Sequence, residues 1–199
     1  LNVAAILLAA GSASRFGSDK LLHLLPHGVP IAVQAARHLR AVFDGKVFAV
    51  VRPEANALTD LLREEGCEVV PCERAADGMG ASLACAIRAV HAVPAAGAVD
   101  GYLVALADMP FIRPSSIAAV RDELAKGAAL VAPYFRARRG HPVGISSRFR
   151  EELVQLKGDE GAKQLLADRA ADIVKVAVGD PAVLRDIDTP GDLAPPLVV

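Results

Sequence analysis

Short, uninterrupted apolar runs alternate along this chain with stretches in which apolar residues recur every three to four positions. Continuous runs suit strands buried on both faces of a parallel sheet, and the recurring pattern suits helices that cover those faces. The alternation predicts an α/β fold. Strands are expected at 3–9, 46–51, 68–71, 101–106 and 128–133, with helices at about 30–42, 54–65, 79–92 and 114–126. Pro30 and Pro114 fall at helix starts, where a missing N–H costs least. From Tyr134 the alternation fails. Arg136, Arg138, Arg139 and Gly140 make a basic polar turn before a strand-like 142–146, a pattern that predicts a β-ribbon or hairpin added to the sheet. Two short helices, at about 147–156 and 160–168, and strands near 173–177 and 183–187 complete the expectation, with a last helix starting at Thr189 and Pro190. No repeat or low-complexity tract appears, and 94–100 reads as a loop.

A length of 199 residues, 53% of them hydrophobic, fits one domain spanning 1–199 with a substantial core. The formal charge of −1 gives no global field that would hold nucleic acid or an anionic membrane, so anion binding must be local. Cys67, Cys72 and Cys85 have no metal-type spacing and read as core or loop thiols in a reducing cytoplasm. The apolar opening is interrupted at Gly11 and has no basic flank, which fits a buried strand better than a signal peptide or a membrane span.

Candidate chemistry concentrates in LLAAGSASRFGSDKLL, residues 7–22, where a buried strand runs into a loop containing Gly11, Arg15, Gly17 and Lys20. The glycines let backbone N–H groups face an anion, and the two cations offset the charge of a triphosphate. The loop also follows a strand C-terminus, where open α/β sheets place ligands. It lacks the Gly-Lys-Ser/Thr ending of a Walker A loop, and its glycines do not match G-x-G-x-x-G, so ATPase and dehydrogenase readings fall away. A second apolar run ends in Asp108, at the same functional edge, and one carboxylate there suffices to anchor a metal–NTP complex. In RDIDTPGDL, residues 185–193, Asp186 and Asp188 alternate at strand spacing and supply a further carboxylate, whereas Asp192 reads as a first-turn helix acid. Gly78, Met79 and Gly80 lead into a helix in which Ser82 either bonds a ribose or base or caps the helix start. His141 sits in a polar basic turn; His23, His27, His38 and His91 show no metal spacing and take no role.

LAAGSASRFGSDK resembles the L-A-[AG]-G-x-x-x-R-[MF]-G-x-x-K signature of the molybdenum cofactor nucleotidyltransferases, which attach CMP or GMP to molybdopterin, and more broadly of sugar-phosphate nucleotidyltransferases. LADMP is similar to the family's L-x-D-x-P element, DIDTPGDL to D-I-D-T-P-E-D-L, GMGASL to the G-M-[SG]-x-S-L element of the cytidylyltransferase branch, RGHP to R-G-H-P, and LKGDEGA to L-x-G-D-x-G-A. The likeness runs in order from Leu7 to Leu193. It implies a three-layer, Rossmann-like (GT-A-like) nucleotidyltransferase fold whose mostly parallel sheet carries an added ribbon. It implies phosphate contacts for Gly11, Arg15 and Lys20, with Ala9 and Ala10 close to the base and Gly78, Met79 and Ser82 lining the nucleotide site. Mg²⁺, or Mn²⁺ in its place, is then held by Asp108 and by Asp188, with Asp186 as the alternative. Arg139, His141 and Asp159 orient a phosphorylated acceptor, and Lys20, Arg15 and Asp108 carry catalysis.

The reaction so implied is in-line attack by an acceptor phosphate oxygen on the α-phosphorus of an NTP, with pyrophosphate leaving and no side-chain nucleophile. CTP is favoured as donor and molybdopterin as acceptor, ahead of guanylyl transfer and transfer to a sugar 1-phosphate. A molybdoenzyme or its chaperone is the implied protein partner. A nucleotide-binding cofactor chaperone without turnover is the rival from another class. A glycosyltransferase is a further rival, but its usual D-x-D is absent at Asp108 and occurs only at 186–188, close to the C-terminus.

Overall fold

The structure, a computed structural model, describes residues 2–11, 20–92, 98–159 and 161–194. Arg15, Gly17, Glu160 and part of the expected 94–100 loop lie outside the described residues. Among the described residues the strands are β1 (Val3–Leu8), β2 (Val47–Val51), β3 (Cys67–Pro71), β4 (Gly101–Leu106), β5 (Leu130–Phe135), β6 (Arg138–Arg139), β7 (Val143–Ser146) and β8 (Ile173–Ala177). The helices are α1 (Ile31–Arg40), α2 (Asn56–Glu64), α3 (Met79–Ala92), α4 (Pro114–Ala125), α5 (Arg150–Val154) and α6 (Lys163–Asp168). The strands form one sheet in the order β3-β2-β1-β4-β7-β5-β6, with β8 pairing β5. β1 runs parallel to β2 and β4, β2 to β3, and β5 to β8, while β7 is antiparallel to both β4 and β5. An antiparallel ribbon is present with other members than expected: Arg138 and Arg139, read as turn, form β6 and pair with Phe135 and Tyr134, while the strand expected at 142–146 is β7, inside the sheet between β4 and β5.

Side-chain alternation along the strands divides the core into two layers. Ala5, Leu7 and Ala9 join a cluster with Ile31, Leu39, Leu62 and Val120, on the face covered by α1, α2 and α4. Ala4, Ile6, Leu8 and Ala10 join the opposite cluster with Leu83, Ile87, Leu153 and Leu166, under α3, α5 and α6. The result is helix, sheet, helix, the three-layer architecture expected from the sequence. No helix among the described residues is long and apolar enough to cross a membrane.

Two expectations near the C-terminus are corrected. The strand expected at 183–187 is absent; Pro181–Leu184 is a 3₁₀ turn followed by an irregular segment. Asp180 explains this locally. Its side chain accepts from the Ala182 N–H at 3.1 Å, closing the turn, and the pleat that would have put Asp186 and Asp188 on one side never forms. The expected last helix is one 3₁₀ turn, Pro190–Asp192, in which the Asp192 carboxylate accepts from the Thr189 N–H at 2.9 Å and hydroxyl at 2.8 Å.

Asp180, only 2% exposed, also accepts from the Arg113 N–H at 2.9 Å and the Ser116 hydroxyl at 2.8 Å. It therefore caps α4 from a distant part of the chain and ties that helix to the segment leading to Asp188. Asp180→Ala would strand these donors and is expected to lower the unfolding free energy by about 2–4 kcal/mol. A urea titration whose midpoint does not move would contradict that role, whereas Asp180→Asn should recover part of the loss.

Candidate functional site

The register of the parallel strands sets the site. Val50, Leu8 and Leu106 are aligned across β2, β1 and β4, so Arg52, Ala10 and Asp108, each two residues further on, emerge in one row beyond the sheet's C-terminal edge. Backbone bonds from Ala9 N–H to Val50 at 2.9 Å and from Ala107 N–H to Leu8 at 3.0 Å extend the pairing into this row.

Lys20 opens a 3₁₀ turn, Lys20–Leu22, anchored by buried Leu21. Its ammonium donates to Asp108 Oδ2 at 3.0 Å and lies 3.6 Å from Asp188 Oδ1. Asp188 reaches this point because the Ile187 N–H donates to the backbone carbonyl of Asp108 at 2.8 Å. One cation thus sits between two carboxylates from segments far apart in sequence. The Lys20 side chain is 12% exposed, Asp108 26% and Asp188 52%, so the cluster opens to solvent on the Asp188 side. Asp186, the alternative carboxylate, is exposed and makes no ion pair with Lys20.

A cavity of about 220 Å³ extends from this cluster. Ala10, Gly11, Lys20 and Asp108 line it from the sheet edge, and Gly78, Met79, Ser82 and Asp159 from the α3 side. Ala9, expected close to the base, instead points the other way, into the core layer under α1, at 4% exposure, because side chains alternate across the sheet. The Ser82 hydroxyl donates to the Gly78 carbonyl at 3.3 Å, one turn back along the chain. A second cavity of about 230 Å³ shares Leu8, Met79, Leu106 and Asp159 with the first and adds Arg139, His141 and Lys163. The two adjoin across Met79 and Asp159.

Close backbone packing fixes that junction. Gly78 adopts φ +114° and ψ −177°, a conformation reserved for glycine, and a Cβ there would overlap the Gly158 carbonyl and the Asp159 carboxylate. The Gly80 N–H donates to the Gly158 carbonyl at 2.7 Å. On the far side the His141 N–H donates to the Val183 carbonyl at 2.8 Å, and a Cβ on Gly140 would overlap that same carbonyl. Gly140 is therefore required by close approach.

His141 Nδ1 is buried without a hydrogen-bond partner among the described residues. Burial, helped by the positive charge of Arg139 and opposed by Asp186, pushes its pKa down to about 4. The imidazole is neutral near pH 7, so it offers the second cavity a hydrogen-bonding group without charge. Linkage follows with a definite sign. The folded pKa lies below the unfolded value, so this residue's contribution to stability is complete above about pH 6.5 and is lost as pH falls toward 4. Between pH 7.5 and 5, wild type is expected to lose about 1–2 kcal/mol more stability than His141→Gln. Parallel denaturation curves at the two pH values would refute this.

Sequence reasoning singled out Lys20, Asp108, Asp188, Gly78, Met79, Ser82, Arg139, His141 and Asp159, and the structure places all of them on these two cavities or the ion cluster. It missed Arg52, whose Nε donates to the Ala10 carbonyl at 3.0 Å and whose side chain lines the first cavity. The only signal was an arginine directly after an apolar strand.

Among the described residues no group of three or more His, Cys, Asp or Glu side chains is placed to hold a metal ion. Two carboxylates around one cation fit a hard divalent ion that completes its shell with phosphate oxygens and water, the usual habit of Mg²⁺.

Comparisons with known proteins agree with this layout. The chain is 30% identical over 191 residues to the bifunctional protein GlmU of Rhodopseudomonas palustris, covering 90% of this chain and 37% of GlmU. The chain thus spans little more than a third of that relative's length. It is 25% identical over 194 residues to nicotine blue oxidoreductase of Paenarthrobacter nicotinovorans, covering 94% of this chain and 92% of that protein. The crystal structure of Rv0371c from Mycobacterium tuberculosis superposes with a TM-score of 0.82 at 25% identity, covering 96% of this chain and 94% of the other. A structure of the same protein in complex with manganese has a TM-score of 0.79 at 23% identity, covering 96% of each chain. Residues 5–174 match the MobA-like NTP transferase domain, and the chain belongs to that family of nucleotidyltransferases.

Proposed function

We propose that this chain transfers a nucleoside monophosphate, CMP in preference, from an NTP to a phosphorylated acceptor, molybdopterin in preference, and releases pyrophosphate. The observation that carries the reading is Lys20 held between Asp108 and Asp188 at the mouth of one cavity, with a second cavity adjoining it. The first cavity takes the NTP, with its phosphates toward Lys20 and its base toward Ala10 and Gly78. The second takes the acceptor, which Arg139 and Lys163 attract by charge and His141 and Asp159 orient by hydrogen bonds.

Asp108 and Asp188 hold the divalent ion, Mg²⁺ or Mn²⁺, which supplies charge neutralisation on the phosphate oxygens. Lys20 then exchanges its carboxylate partners for the triphosphate, where its charge stabilises the negative charge that builds up in the transition state. Arg15, outside the described residues, serves the same end. An acceptor phosphate oxygen bonds to the α-phosphorus as the bond to the pyrophosphate oxygen breaks. That oxygen is already ionised near neutral pH, so the protein positions and neutralises rather than deprotonates. Asp188 is preferred to Asp186 because only Asp188 approaches the shared cation.

The test is pyrophosphate release with Mg²⁺, each of the four NTPs, and molybdopterin or sugar 1-phosphates as acceptors. Acceptor-dependent release with CTP and molybdopterin is the expected result. NTP binding with no release for any acceptor would favour a non-catalytic module that hands cofactor to a molybdoenzyme. The likeness to a protein named an oxidoreductase carries a redox reading, and an assay with NADPH as hydride donor in place of NTP separates it. The Lys20 cluster favours nucleotidyl transfer.

A further inference from the structure

We infer that Arg52 reads the nucleobase and restricts the donor to bases with two adjacent hydrogen-bond acceptors, that is, to CTP or GTP over UTP and ATP. The inference rests on the nucleotidyl-transfer reading above and concerns the base end of the same cavity. Arg52 and Asp108 stand in the same row just beyond the C-terminal ends of β2 and β4, with β1 between those strands. Neighbouring strands lie ~4.8 Å apart, which separates the two positions by about 10 Å. A nucleotide whose phosphates meet Lys20 and Asp108 therefore presents its other end, the base, to Arg52.

The guanidinium is aimed by its own contact. Nε is committed to the Ala10 carbonyl at 3.0 Å, and among the described residues Nη1 and Nη2 have no protein acceptor. Arg52 is half-buried and lines the cavity together with Ala75 and Gly78, which follow β3 on the same side of the sheet. A planar donor pair in this position is complementary to two acceptors side by side. Cytosine presents them as O2 and N3, and guanine as O6 and N7. Uracil places an N3–H beside each carbonyl, and adenine pairs N7 with an amino group, so each would oppose a donor to a donor. A buried donor left without an acceptor is what makes such a site selective.

The test is equilibrium binding of CTP, GTP, UTP, ATP and inorganic tripolyphosphate, each with Mg²⁺, to wild type, Arg52→Met and Arg52→Lys. Wild type is expected to bind CTP or GTP more tightly than UTP and ATP. Arg52→Met should weaken the preferred nucleotide by about 10- to 100-fold and leave UTP, ATP and tripolyphosphate little changed. Arg52→Lys keeps the charge without the fork and should lose the preference, so the inference remains testable if the methionine variant does not fold. Equal weakening of all five ligands would make Arg52 a phosphate contact and overturn the inference, as would full base preference in Arg52→Lys. Wild type that binds NTPs without base preference overturns the role of Arg52 alone. Wild type that binds neither NTPs nor tripolyphosphate overturns the transferase reading itself.

Discussion

Asp108→Ala is expected to lower acceptor-dependent pyrophosphate release by at least about 100-fold while the chain still folds, and Lys20→Ala to do the same. Asp108 sits beyond the end of β4, outside the strand ladder, and its backbone carbonyl keeps the bond from Ile187 when the side chain is removed. The core therefore loses nothing. Among the described residues, Asp108→Ala leaves Asp188 as the one carboxylate paired with Lys20, and Lys20→Ala removes the cation that pairs with both Asp108 and Asp188. Each lost contact at a developing phosphate charge corresponds to about 3–4 kcal/mol of transition-state stabilisation. The two variants should differ in one respect: Asp108→Ala loses metal-dependent nucleotide binding, whereas Lys20→Ala retains more of it and loses mainly kcat. Initial rates near wild type for either purified variant would contradict the mechanism.

Gly78→Ala is expected to be the most damaging single-atom addition near the site, lowering stability by about 3–5 kcal/mol. Two costs combine. The backbone at φ +114° and ψ −177° excludes a side chain, and the new Cβ would overlap the Gly158 carbonyl and the Asp159 carboxylate. Relief requires the 157–159 segment to move, which breaks the Gly80 N–H bond to the Gly158 carbonyl and separates the two cavities. Gly127→Ala is the control, since Gly127 has φ +98° with nothing within 4 Å of a Cβ, and only the backbone term applies. Equal urea midpoints for the two variants would show that the close packing at Gly78 carries no cost.

What could be read from the sequence was governed by locality. Each of β1, β2 and β4 is a continuous apolar run, and the functional residues immediately beyond them, Gly11 and Asp108, inherit their positions from the strands. The antiparallel pairing of β5 with β7 was legible because the basic turn falls between two apolar segments, whereas the strand at Arg138–Arg139, inside that turn, was not. The 183–187 segment misled because Val183, Leu184 and Ile187 are apolar enough for a strand, yet Val183 and Ile187 are buried, and Leu184 half-buried, from an irregular chain closed by Asp180. The capping of α4 by Asp180 could not be read, since Ser116 lies 64 positions away. Arg52 was missed for a related reason: nothing in VVRPEAN says that the residue after β2 shares a row with Ala10 and Asp108. That follows only once the strand order β2-β1-β4 and its register are in hand. Asp188 was selected over Asp186 by resemblance, and the ion pair with Lys20 supplies the geometric preference.

The central claim is that Asp108 and Asp188 bind a divalent ion together with a nucleoside triphosphate, displacing Lys20 from between them. The most direct measurement is the electron paramagnetic resonance of Mn²⁺ titrated with protein, with and without CTP, for wild type and Asp108→Ala. The account predicts weak Mn²⁺ binding by wild type alone, strong binding when CTP is present, and loss of that enhancement in Asp108→Ala. Mn²⁺–CTP binding by Asp108→Ala as tight as by wild type would contradict it.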